Sequence, residues 1–287
     1  MASQDRGAGT PQGDIPDSAA ESPSFDTTIP HPARIYDYWL GGKDNYEADR
    51  EAAEQVIATQ PSILATVRAN RAFLRRAVQY LAGEAGIRQF LDIGAGLPTN
   101  ENTHQIAQEI APESRIVYVD NDPVVRAHAR ALLTSTTEGA TGYVQADARD
   151  TSTILREAAR TLDLSQPLAV MMLGLLHYIP DADRPLQIVS RLMDGVAPGS
   201  YLAISEATRD IDTHSITESA ARFNARRVAA PFTPRTRAEI ARYFSGLDLV
   251  APGLVPLPQW RGMASAAQQI PAYAAIARKR PRELSPP

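Results

Sequence analysis

Three aspartates close three short apolar runs: Asp92 in "QFLDIGAG", Asp120 in "RIVYVDND" and Asp147 in "TGYVQADARD". Runs of this length and composition read as buried strands, and in an open parallel sheet the carboxyl ends of such strands share the edge where ligands lie. Carboxylates there accept hydrogen bonds from hydroxyl and amino groups. Gly94 and Gly96 follow the first run at the strand-to-helix turn, where glycine permits a sharp bend and close approach of a ligand to the backbone. A dinucleotide site adds a third glycine three positions on, so that a pyrophosphate meets the helix N-terminus. Thr99 stands there instead, inside "LPTN", which argues against a pyrophosphate. Asp120 comes just over twenty residues after the glycines, where a carboxylate meets the hydroxyl pair of an unphosphorylated ribose. Each carboxylate taken singly also suits a helix cap or a solvated turn.

Composition narrows the chemistry. With no cysteine there is no disulfide, thiolate metal site or cysteine nucleophile. His31, His104, His128 and His214 are scattered without metal-ligand spacing, so no metal is expected, and no Ser-His-Asp arrangement is readable. The formal net charge of −4 gives no overall attraction to phosphate backbones, which makes nucleic acid an unlikely substrate. Neither an eighteen-residue apolar run nor a signal-peptide pattern occurs, so the expectation is a cytoplasmic protein without a membrane partner.

The elements that must position these residues alternate along the chain. "PSILATVRANRAFLRRAVQYLA" carries Leu64, Val67, Leu74, Val78 and Leu81 on one helical face. Five apolar runs follow: the three above, then "LAVMMLGLLHYIP" and "SYLAISEAT". Helical stretches separate them, among them "NENTHQIAQEIA", where Asn102 and Gln105 have capping-box spacing. Doubly buried strands alternating with helices indicate a parallel α/β sheet with right-handed crossovers. "LDLVAPGLVPLPQW" and "PAYAAIARK" are further strand candidates, the prolines of the first suiting an edge or bulge. Residues 1–24 and 281–287 read as a disordered and a frayed tail flanking one domain, 25–280. Arginines in "RANRAFLRR" and "ARFNARRVAAPFTPRTR" read as solvated faces, with Arg222, Arg226 and Arg227 a possible attraction for an acidic substrate.

Together, "DIGAG", "VDND" and "ADARD" resemble the ordered cofactor motifs of class I S-adenosylmethionine-dependent methyltransferases, whose cofactor carries no phosphate. More narrowly, "ARIYDYWLGGKDNYEADR", "FLDIGAGLPTNENTH" and "APFTPRTRAEIARYFSGLDLV" resemble a mostly actinobacterial methyltransferase family long catalogued as a domain of unknown function. The resemblance spans about His31 to Lys279. It implies a Rossmann-like, seven-stranded, mostly parallel sheet (84–280) behind an N-terminal helical lid and cap (25–83), and S-adenosyl-L-methionine as cofactor. Carried over, Gly94 and Gly96 line the methionine part, and Asp92 fixes that loop or the methionine amine. Asp120 takes the ribose hydroxyls with Asn121 beside the adenine, and Asp147 with the Ala148 backbone holds the adenine amine.

The fourth run lacks the Asp/Asn-Pro-Pro-aromatic segment of enzymes that methylate amino groups of bases or glutamine. "LGLLHYIP" looks more like small-molecule methyltransferases. His177 is then the candidate general base, mostly neutral at physiological pH, or else it orients the loop. Tyr178 and Glu206 are candidates for acceptor contact, against packing and capping roles. In "HPARIYDYWLGGKDNYEAD", Tyr36, Tyr38 and Trp39 offer cation-π and stacking surface for a sulfonium and an adenine, Arg34 a partner for the cofactor carboxylate, and Gly41 and Gly42 a turn or hinge. The same aromatics also suit a simple anchor for the N-terminus. The expected function is methyl transfer to oxygen or nitrogen of a small molecule. A cofactor-binding regulator without transfer activity is the alternative, and an NAD-dependent oxidoreductase a third reading.

Overall fold

The computed structural model describes residues 26–280 except 100, 133–134 and 263–268; both expected tails lie outside the described residues. Each of the five apolar runs is a strand: β1 (Gln89–Ile93), β2 (Arg115–Asp120), β3 (Ala140–Gln145), β4 (Ala169–Leu173) and β5 (Tyr201–Ala207). They pair in parallel in the spatial order 3-2-1-4-5. The proline-rich candidate becomes two short pieces, β6 (Leu247–Leu249) and the two-residue β7 (Val255–Pro256), separated by a turn with a cis Ala251–Pro252 bond. The last candidate is β8 (Ala272–Lys279), antiparallel to β5, with β6 beyond it at the edge and β7 also on β8. Seven strands thus make the main path 3-2-1-4-5-8-6, and β7 is an eighth beside it.

Nine α-helices lie among the described residues: α1 (Pro32–Trp39), α2 (Glu47–Thr59), α3 (Ile63–Gln79), α4 (Thr103–Ile110), α5 (Pro123–Leu132), α6 (Thr151–Ala158), α7 (Pro185–Asp194), α8 (Thr213–Asn224) and α9 (Arg237–Ala241). Strand pleating sorts the core into two layers. Leu91 and Ile93 pack with Ile154 of α6 and Ile188 and Leu192 of α7, while Phe90 packs with Phe73 and Val78 of α3 and Ile106 of α4. The expected capping box starts α4, where Gln105 Oε1 accepts the Asn102 N–H at 2.7 Å. That cap fixes where the loop after β1 ends.

A third cluster joins Ile35 and Trp39 of α1 and Ala52, Ala53 and Val56 of α2 to Val67 of α3 and Phe223 of α8. Burying Ile35, Trp39 and Val56 contributes roughly 1.5–3 kcal/mol each, so the N-terminal helices are packed elements of the fold. Between α1 and α2 the chain turns at Gly41, φ +83°, and passes close to Asp37 at Gly42, where a Cβ would sit 1.9 Å from Asp37 Oδ1. No described helix is long and apolar enough to cross a membrane.

Candidate functional site

Strand order reverses between β1 and β4, and there the carboxyl ends of β1, β2, β3 and β4 open into a cleft of about 1250 Å³. After β1 the chain turns at Gly94, φ +74°, and the Gly94 and Ala95 N–H groups donate to Val119 O at 2.8 and 3.1 Å. A Cβ on Gly94 would meet Leu175 Cδ1 at 2.7 Å, and the left-handed backbone there strains any other residue. Asp92 is buried behind it and accepts from Thr103 Oγ1 at 2.7 Å; burial pushes its carboxyl up to about 6.

Asp120 binds the glycine loop to β2. Its Oδ2 accepts the Gly96 N–H at 2.8 Å and its Oδ1 the Asp122 N–H at 2.9 Å, while burial raises its pKa. A carboxylate oxygen has two acceptor sites, so each can take a ligand hydroxyl as well. On β3's extension, Arg149 grips Asp147 through Nε to Oδ1 at 2.8 Å and Nη2 to Oδ2 at 2.6 Å, and reaches Asp183 at 2.7 Å. This pairing, first among its causes, holds Asp147 below the usual carboxylate range. Asn121 and Ala148 complete that wall.

The N-terminal helix supplies the opposite side through His31 and Tyr36. Tyr36 Oη donates to Val67 O and accepts from Asn70 Nδ2, both at 3.1 Å. Arg34 and Tyr38 do not line the cleft. Arg34 is buried against Asp49 and Asp122, at 3.3 and 3.6 Å, and donates to Ile29 O; Tyr38 donates to Glu54 on α2. Besides Arg149, paired with Asp147, the guanidinium lining the cleft is Arg71 of α3, which donates to Glu101 O at 2.8 Å and whose charge acts on Asp92. The sequence carried a signal for it: Arg71 falls on the apolar stripe of Val67, Leu74 and Val78, not on the solvated face where "RANRAFLRR" suggested. Asp122, the second carboxylate of "VDND", fastens α1 through His31 Nδ1 at 3.0 Å and through Arg34.

Tyr36, Asn70, Gly174 and Tyr178 line the cleft and also a second cavity of about 710 Å³ under α1, α2, α3 and α8. His177 lies in this second cavity and not in the cleft. Its Nδ1 is 3.3 Å from the Ala207 N–H nitrogen and 3.6 Å from Glu206 Oε2, and its ring lies tilted at 56° against Tyr178, 4.5 Å between centroids. Glu206 Oε1 accepts from Arg235 Nη1 at 3.1 Å, and Arg235 also donates to Leu176 O and Ile179 O. One buried arginine therefore locks β5 to the turn that carries His177. Asn70 joins the two spaces, accepting from Ser205 Oγ at 2.6 Å while donating to Tyr36.

A family model described as S-adenosyl methyltransferase matches residues 18–280. The crystal structure of a DUF574-family protein from Streptomyces avermitilis is 46% identical, with TM-score 0.84 over 88% of this chain and 99% of that one. A protein of Thermobifida fusca described as a candidate methyltransferase is 39% identical, with TM-score 0.81 over 92% of this chain and 100% of that one. The plantazolicin methyltransferase BpumL, at 11% identity and TM-score 0.50 over 86% of this chain and 96% of its own, shares the fold. No curated protein matches the chain.

Proposed function

The chain belongs to the S-adenosyl methyltransferase family, whose methyl donor is S-adenosylmethionine, and from that premise we propose that it methylates oxygen or nitrogen of a small molecule held in the second cavity. The observation that carries this reading is the shared wall. Tyr36, Asn70, Gly174 and Tyr178 separate a cleft lined by strand-end carboxylates from an apolar cavity, the arrangement needed where donor and acceptor meet.

The cleft's donor set suits the cofactor end to end. Arg71 is the guanidinium for its carboxylate, a pairing that favours a planar bidentate contact. Asp92 steadies the glycine loop and lies near the place of the amine. Asp120 accepts from the ribose hydroxyls, Asn121 and Ala148 flank the adenine, and Asp147 accepts from its exocyclic amine. The bound cofactor supplies an electrophilic methyl on a sulfonium.

The protein's own contribution is positioning, water exclusion and handling of the acceptor's proton. α1, packed over the cleft, excludes water. His177 is the proton acceptor, and its role turns on Nδ1. A proton on Nδ1 directed at Glu206 leaves Nε2 free to take the acceptor's proton, whereas an Nδ1 that accepts the Ala207 N–H makes Nε2 a donor. Glu206 is the positioning residue of the first arrangement, which requires Nδ1 to exchange the Ala207 N–H, accepted at 3.3 Å, for the carboxylate 3.6 Å away. His177→Ala should leave binding of S-adenosylhomocysteine nearly intact and slow labelled-methyl transfer by about 10²-fold or more. An unchanged rate across the pH profile would return His177 to a structural role.

A further inference from the structure

The second cavity constrains the acceptor's chemistry, an argument that rests on the methyltransferase reading above. Its wall is aromatic: the rings of Tyr178, Phe223 and Phe232 stand 5.9–6.5 Å apart, centroid to centroid, and Trp39 closes the same space from α1. Rings at this spacing offer faces and edges to a flat guest. Among the described residues no lysine or arginine lines the cavity, so no permanent cation in it compensates a carboxylate or phosphate on the guest.

Two polar atoms in that wall have no hydrogen bond. Glu206 Oε2 and Gln60 Oε1 are both buried without a donor, on residues 1% and 2% exposed. Both are acceptors, so what they lack is N–H or O–H. Glu206 is also matched in charge by buried Arg235 at 3.1 Å, so the cavity does not call for a cation. Glu206 stands beside His177, and His177 Cε1 lies 4.0 Å from where a Cβ on Gly174 would be, at the wall shared with the cleft. Gln60 reaches the cavity from the end of α2.

We propose that the acceptor is a neutral, flat aromatic molecule with two N–H or O–H donors, one received by Glu206 beside His177, the other received by Gln60. The aromatic rings hold the plane, and the two acceptors fix which end faces the cleft.

The full-length protein is first titrated calorimetrically with S-adenosylhomocysteine. Absence of binding there sinks the methyltransferase reading, and the aromatic probes are then measured without it. Otherwise the saturated protein is titrated with 2,6-dihydroxynaphthalene, 6-amino-2-naphthol, 2-naphthol and 6-hydroxy-2-naphthoate. A two-donor probe should bind roughly tenfold more tightly than 2-naphthol, one hydrogen bond's contribution, and the naphthoate most weakly. The dihydroxy and amino probes separate O–H from N–H preference. Gln60→Leu should remove the two-donor advantage while leaving 2-naphthol affinity unchanged, which also shows that the variant folds. Tightest binding by the naphthoate, a two-donor advantage that survives Gln60→Leu, or no binding by any probe would overturn the proposal.

Discussion

Asp92 shows how a single residue at this edge is set by its burial. Water is excluded around it, the Thr103 hydroxyl gives one hydrogen bond, and desolvation still wins, lifting the carboxyl to about 6. The folded chain therefore holds this proton more tightly than the unfolded chain, whose aspartate titrates near about 4. The stability so supplied is complete below about pH 4 and lost as pH rises through about 6, a difference of about 3 kcal/mol at most. Asp92→Asn keeps the neutral form at every pH. In urea unfolding without cofactor it should match the wild type near pH 4 and exceed it by about 3 kcal/mol above pH 7. Parallel pH curves for the two proteins would show that Asp92 ionises in the fold as it does in water.

The element that most shapes the site is α1. Its apolar side packs on α2 and α3, and its polar side is clasped by Asp122 through His31 and Arg34, with Asp49 behind. Arg34 is thereby occupied in holding the helix down. Asp122→Ala removes one carboxylate from a buried cluster and leaves Asp49 as the carboxylate beside Arg34, which should cost about 1–3 kcal/mol. The loss should appear as faster amide exchange in α1 and weaker binding of S-adenosylhomocysteine, with exchange in β1 and β4 unchanged; a uniform change throughout would mean that the clasp belongs to the global fold. The parallel strands were legible because their apolar runs are continuous and end on Gly or Asp. The split of "LDLVAPGLVPLPQW" into two short strands was not, because prolines mark a break without saying how the pieces pair with β8. The paired fates of Arg34 and Arg71 have one cause: a long side chain's direction is set by tertiary neighbours that local spacing does not contain. Arg71's place on the apolar stripe was the visible clue.

At the scale of the whole molecule, the sheet's order brings distant segments to one edge. Strand-end residues near 92, 120 and 147 meet because β1, β2 and β3 are neighbours, and the β4 loop joins them at the reversal. That much follows from motifs and topology. The second cavity was less legible, since it is assembled from α1, α2, α3, α8 and β5, elements that share no motif; His177 and Glu206 were visible as residues but not as neighbours. The proposed site rests on the strand-end carboxylates as the groups that hold the cofactor. Its most direct measurement is calorimetric titration of S-adenosylhomocysteine into the wild type and Asp120→Ala, with near-UV circular dichroism to verify the fold. The wild type should bind, and the variant should lose about 1.5–3 kcal/mol of affinity, the cost of hydrogen bonds to a charged group. Equal affinity in two well-folded proteins, or no binding by the wild type, would contradict it.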